Sequence, residues 1–269
     1  MNIDCELPLS EKRLPVLREV FWPAEWLALR FSEVHRGTGV AHGRGEPVLV
    51  VPGFLGSDES LKVLRSWLER VGYRVYTSGI GRNSDCPDVL LSKLIESAEA
   101  ASADSGERLR MIGHSLGGAL ARAAAVRRPD LISQVICLGA PIAGSGVHPM
   151  VLQLARAIAE RTPTPNARPR AHNDHYHDGT CACELAETLG LPLPPEVTLA
   201  SIFSKTDGVV DWRTSQVLPP ATNVQVNATH LGLVVNTEAY RAIARQLAVA
   251  PLETGPRVGV EAGRARPAV

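Results

Sequence analysis

Five residues constrain this chain more than any other feature: Gly113-His114-Ser115-Leu116-Gly117, a G-x-S-x-G pattern. It follows an apolar run, Leu109–Ile112, that reads as a strand. It opens an Ala- and Leu-rich stretch, Leu116–Arg127, that reads as a helix. A serine between strand and helix at that spacing must sit on a sharp, strained turn. Its neighbours two before and two after must be small, because strand and helix could not otherwise approach. Such a turn lifts the hydroxyl above a sheet. The helix start adds a backbone N–H and positive potential where an oxyanion would form.

Short β-branched runs alternate with helical stretches through most of the chain. Val48–Val51, Arg74–Thr77, Leu109–Ile112, Gln134–Leu138, Leu199–Phe203 and Val224–Val226 read as strands. Leu61–Arg70, Val89–Ala101, Leu116–Arg127 and Glu238–Ala248 read as helices. This alternation predicts an α/β fold: a compact, mostly parallel sheet of about six strands, helices on both faces and right-handed crossovers. Ligands in such sheets sit at the carboxyl ends of the strands. Between Pro141 and Val197 the alternation breaks. Val147–Arg161 is helical in pattern, 162–169 is a proline-broken turn, and Cys183–Leu189 is a short helix before a proline cluster. Long irregular segments inside compact domains are usually functional, so 142–197 is expected to be a lid-like insertion. Residues 1–250 then form one domain that starts with a loose arm over 1–15, and 251–269 form a disordered tail. Leu14–Phe31 carries Phe21, Trp22 and Trp26 at helical spacing around Pro23. It reads as a helix covering a sheet edge, or as a surface for lipid or a partner.

Composition excludes some functions. Lys+Arg and Asp+Glu are both 28, a formal charge of zero. A chain without basic excess is a poor candidate for holding nucleic acid through phosphate neutralisation. No run of about 18 apolar residues exists, so no spanning helix is expected. The start, MNIDCELPLSEKRLPVL, has acids where a secretory signal would be basic, so a cytoplasmic location is expected. Five cysteines, an odd number, argue for thiols rather than a disulfide framework.

A serine hydroxyl is a weak nucleophile. It needs a base, and the base needs an orienting acid. On this kind of turn the chain order is Ser, then Asp or Glu, then His. The downstream histidines are His148, His172, His175, His177 and His230. His230 directly follows a late strand and precedes the last helix, and is the predicted base. His114, inside the turn, is assigned a structural bond. Asp207 follows the strand LASIFSK, which places it on the catalytic face, and is the predicted acid. Asp211 is its rival, and either aspartate could instead brace its own turn. The second oxyanion donor must come from the loop after the first strand, Pro52-Gly53-Phe54-Leu55-Gly56. Gly53 lets that backbone turn an amide inward, so the predicted donors are the amides of Phe54 and Leu116.

With these pieces in place, the chain resembles the α/β-hydrolase superfamily, and within it the bacterial lipase and esterase branch. The matching segments are VPGFLGSD, GHSLGG, LGAPIAGS, SKTDGVVDW and NATHLGLVVN, in the right order between Pro47 and Leu247. The resemblance implies serine acyl transfer through Ser115, Asp207 and His230. Carboxylic-ester hydrolysis is the usual outcome, on an ester or lipid-like substrate, with no cofactor and no metal. A thioesterase or acyltransferase would use the same triad. A non-catalytic binding protein on this fold would lack a triad member, and none is missing. Pro52-Gly53 stands where many lipases have His-Gly.

One further cluster stands outside that scheme. His172, Asp174, His175, His177, Asp178, Cys181 and Cys183 fall within a dozen residues. These types suit zinc, but the spacings match no standard signature. The open readings are a hydrogen-bonded loop with buried thiols, a metal site, and a disulfide from Cys181 or Cys183 to Cys86.

Overall fold

The computed structural model describes residues 15–144, 147–149, 153 and 184–249. Six strands form one sheet in the order β2-β1-β3-β4-β5-β6. They are β1 (Pro47–Val51), β2 (Arg74–Thr77), β3 (Leu109–His114), β4 (Ile132–Leu138), β5 (Thr198–Ser204) and β6 (Thr222–Val226). Every pairing within this sheet is parallel, where the alternation predicted a mostly parallel one. The helices are α1 (Trp22–Phe31), α2 (Lys62–Arg70), α3 (Pro87–Ser105), α4 (Leu116–Arg127), α5 (Glu184–Gly190) and α6 (Thr237–Leu247). The strand order reverses direction at β1, so the carboxyl ends of β1 and β3 form the topological switch point of the sheet, where ligands sit in folds of this kind.

The pleat of the central strands feeds two cores. Val48, Val50, Ile112, Ile136 and Leu138 face Trp67 of α2 and Tyr240 and Ile243 of α6. Leu49, Val51, Met111, Val135 and Cys137 face Leu90 and Leu94 of α3 and Leu120 and Ala124 of α4. Strands covered on both faces are mostly apolar, and β1, β3 and β4 are buried along their whole length, with Arg110, Ser133 and Gln134 bonded to backbone carbonyls. In the first core Trp67 and Tyr240 meet at 4.5 Å between ring centroids. The Trp67 indole N–H donates to the carbonyl of Val34 at 2.8 Å.

The amino-terminal helix departs from the expected pattern. Pro23 sits in the first turn of α1, where its missing N–H leaves no bond unmade. Phe21, Trp22, Trp26, Leu27 and Phe31 are nonetheless exposed, while Glu19 and Leu29 are buried. The segment packs across the loop that carries His230 and against α6 rather than along a sheet edge. Backbone amides of that loop draw the side chains of Glu19 and Glu25 inward. Leu29 in the core and the two glutamates held by backbone amides together set which face of this segment points in.

Most of the expected lid-like insertion lies outside the described residues. Its described parts include α5, which packs on α3 and α4, and an isolated antiparallel bridge between Val147 and Val210. Residues 1–14 of the expected arm and all of the expected tail, 251–269, also lie outside the described residues. Among the described residues no helix is long and apolar enough to cross a membrane.

Candidate active site

Ser115 stands at the carboxyl end of β3 with φ 52° and ψ −126°. A non-glycine residue held there costs about 1–3 kcal/mol and persists only where its surroundings over-determine it. Here they do. The Ser115 amide donates to the carbonyl of Leu138 on β4 at 2.9 Å. A Cβ on Gly113 would overlap the backbone of Gly117, and one on Gly117 would overlap the carbonyls of Val51 and Pro52. Both glycines of the motif are therefore steric requirements of the turn.

Asp207 and His230 come from the loops after β5 and β6, and each is 4% exposed. His230 Nδ1 lies 2.7 Å from Asp207 Oδ2. An ionised carboxylate can only accept, so Nδ1 carries the proton and Nε2 is left as the basic nitrogen. Asp207 Oδ1 accepts from the amides of Val209 and Val210, both at 2.8 Å. Gly139, at φ 54°, makes room for the pair: a Cβ there would sit 3.0 Å from Asp207 Oδ2 and 3.3 Å from His230 Nδ1. Asp211 is occupied elsewhere, accepting from the amide of Arg213 at 3.0 Å and from its guanidinium at 3.3 Å. The structure thus brings Asp207, and not Asp211, to His230.

His114 packs its ring 4.7 Å from that of His230 and bonds through Nε2 to the carbonyl of His230 at 3.0 Å. Burial, then repulsion from His230, push its pKa from 6.5 down to about 3. The folded protein therefore refuses a proton that the unfolded chain binds between those values. The stability contributed by neutral His114 is full above pH 6.5 and is lost as pH falls through that window. His114→Gln keeps an N–H for the His230 carbonyl but cannot titrate. Denaturant unfolding near pH 7.5 and near pH 4.5 should show the variant gaining on wild type by on the order of 2 kcal/mol at the acid end. Parallel losses in the two proteins would mean that His114 takes a proton inside the fold.

The loop after β1 makes a tight turn with Leu55 at φ 61° and Gly56 donating to the carbonyl of Gly53 at 2.9 Å. Asn83, fully buried, grips it from the segment after β2. Its side-chain amide donates to the carbonyl of Pro52 at 2.7 Å, its backbone N–H donates to Gly56, and its carbonyl accepts from Leu55. The amide of Phe54 takes no part in these bonds. The first amide taken up inside the α4 turn is that of Gly118, which donates to Ser115, so Leu116 N–H is likewise outside the loop's own bonding. A Cβ at Gly53 would come within 3.1 Å of the Ser115 Cβ, so this loop lies directly against the serine.

Sequence reasoning missed Asn83, Glu19 and Glu25. Asn83 sits in a polar run, Arg82 to Asp85, without a motif, and both glutamates lie in a segment read for its aromatic residues. The His/Cys cluster at 172–183 and its alternatives, including a bridge to the buried Cys86, fall outside the described residues. Among the described residues no group of three His, Cys, Asp or Glu side chains is placed to hold a metal ion.

A family model described as alpha/beta hydrolase fold matches residues 92–243. Curated triacylglycerol lipases of Pseudarthrobacter phenanthrenivorans and Burkholderia plantarii are each 30% identical to this chain over 108 residues, 37% of its length. The match spans 34% and 30% of those proteins, so the chain covers about a third of the curated relatives it matches. The solved structure of a metagenomic carboxyl esterase shares the fold with a TM-score of 0.57 at 20% identity, over 78% of this chain and 79% of that one.

Proposed function

The chain belongs to the alpha/beta hydrolase family, and from that premise we propose that it is a serine hydrolase cleaving carboxylic esters. The observation that carries the reading is the buried 2.7 Å contact between His230 Nδ1 and Asp207. His114, the residue before the serine strained onto its strand-to-helix turn, packs its ring 4.7 Å from that of His230. The names of the similar proteins, triacylglycerol lipase and carboxyl esterase, favour ester substrates over other acyl donors.

Each residue then has a role. Ser115 Oγ attacks the ester carbonyl while His230 Nε2 takes its proton. Asp207 holds the imidazole in the required tautomer and stabilises the imidazolium. The amides of Phe54 and Leu116 receive the oxyanion of the tetrahedral intermediate, helped by the positive end of α4. Collapse expels the alcohol, protonated by His230, and leaves an acyl-enzyme. His230 then deprotonates water, which attacks the acyl carbon, and the carboxylic acid departs.

The reading is tested with p-nitrophenyl esters of increasing acyl length, with and without an emulsified interface. Steady turnover is expected, with a chain-length optimum. Preferential acyl transfer to an added alcohol would assign the same triad to an acyltransferase. Folded protein that turns over no ester or thioester would sink the proposal.

A further inference from the structure

Asp207 and His230 leave different strands, so something must hold their loops in one register. Ser204 and Thr206 tie the strand ends together through the backbone of Ala228. At the catalytic residues themselves the tie is Glu19. Its Oε1 accepts from the amides of Gly208 and His230, both at 2.9 Å, and its Oε2 accepts from the amide of Leu231 at 2.8 Å. The residue after the acid and the base's own amide therefore hang from one oxygen. Glu19 is 8% exposed. Gly208 has no room for a side chain, since a Cβ there would sit 2.9 Å from Glu19 Oε1 and 2.7 Å from the carbonyl of Pro15. Glu25 extends the contact by accepting from the amide of Thr229 at 2.8 Å and from the Asn236 side chain at 2.8 Å. Three consecutive amides, 229 to 231, thus donate to carboxylates supplied by one amino-terminal segment.

We propose that Glu19 is a positioning residue for the His230–Asp207 pair. Its charge, seated on the amides of Gly208, His230 and Leu231, fixes the separation of the two loops so that the imidazole–carboxylate bond keeps its geometry through turnover. The proposal rests on the assignment of this pair as base and acid. Charge-assisted N–H bonds to a buried carboxylate are about twice as strong as neutral ones, so a neutral isostere cannot replace them. A displacement of about 1 Å at reacting groups costs about 10²-fold in rate. Glu19 acts through the pair, so the loss belongs in kcat rather than KM. A carboxylate that only anchored the helix would change the melting temperature and leave the rate of folded molecules alone.

Glu19→Gln keeps the shape but turns an NH2 group onto at least one N–H, whichever way the amide is flipped. Glu19→Asp keeps the charge and withdraws it by one methylene. Both are compared with wild type well below their melting temperatures, by kcat and KM on a short-chain ester. The low-field proton resonance of His230 Nδ1–H, assigned by its loss in His230→Gln, is recorded for each. Glu19→Gln should lose about 10²-fold in kcat with KM within about twofold, and its resonance should shift upfield or broaden away. Glu19→Asp should recover part of both. Unchanged kcat with an unmoved resonance overturns the proposal, whatever happens to the melting temperature. If wild type turns over no ester, the resonance decides alone: its loss in Glu19→Gln supports the clamp and its persistence refutes it. If Glu19→Gln fails to fold, Glu19→Asp carries the same two readouts. A resonance and kcat matching wild type in that variant overturn the proposal.

Discussion

Ser115→Ala should abolish ester hydrolysis, with a loss in turnover of about 10⁶-fold and the fold intact. The oxyanion donors and the binding surface survive this change, and alone they leave a residual acceleration of about 10³–10⁴ over water. No covalent path remains, because the base has lost the hydroxyl it serves. Stability should hold because the bonds that shape the turn run through the backbone of Ser115, to Leu138 and from Gly118. Alanine carries the same Cβ at φ 52°, so the strain of the turn is unchanged. A melting temperature within a few degrees of wild type is expected. The check is hydrolysis of a short-chain p-nitrophenyl ester together with labelling by a fluorophosphonate. Wild type should label and the variant should not, and a labelled variant would mean that another serine is the nucleophile.

Asp207→Asn should lose about 10⁴-fold in turnover at neutral pH with little change in melting temperature. The asparagine oxygen can still accept from the amides of Val209 and Val210, as Asp207 Oδ1 does now, so the loop keeps its shape. Its NH2 group would then face His230 Nδ1, now 2.7 Å from a carboxylate oxygen. The ring answers by leaving Nδ1 bare and protonating Nε2, and that tautomer cannot take the serine proton. Asp211→Asn should lose no more than about tenfold, because an asparagine oxygen can still cap the turn at Arg213. The two variants belong in one assay beside wild type. A near-dead Asp211→Asn next to a brisk Asp207→Asn would reverse the assignment.

The sheet and its helices were legible because each strand and helix states its period locally. The Ser115 turn was legible because its sterics compress into five letters. Asp207 and Asp211 lie only four residues apart, and the strand end before Asp207 is what singles it out along the chain. Val210, between them, is 1% exposed, so that loop turns one side into the core. The amino-terminal helix left two readings open, a cover for a sheet edge and an exposed surface, and its aromatic residues are exposed. Apolar spacing finds the buried face only when apolar burial alone decides it, and here amides 189 to 212 residues away share the decision. No window along the chain contains both partners of such a bond. Asn83 was illegible for the same reason, since Pro52, whose carbonyl it holds, lies 31 residues earlier.

The bonds of Glu19 also bear on when the site comes into being. The backbone bonds of the serine turn run within β3, α4 and β4, which are consecutive in the chain. Aligning His230 with its partner instead closes a loop of 211 residues back to Glu19. Loop-closure entropy rises only as the logarithm of length, so the contact is affordable at equilibrium. Contacts between residues so distant in sequence nevertheless form slowly. The serine turn and the alignment of its base thus rest on contacts of very different reach, and the second is complete only once Glu19 meets the amides of His230 and Leu231.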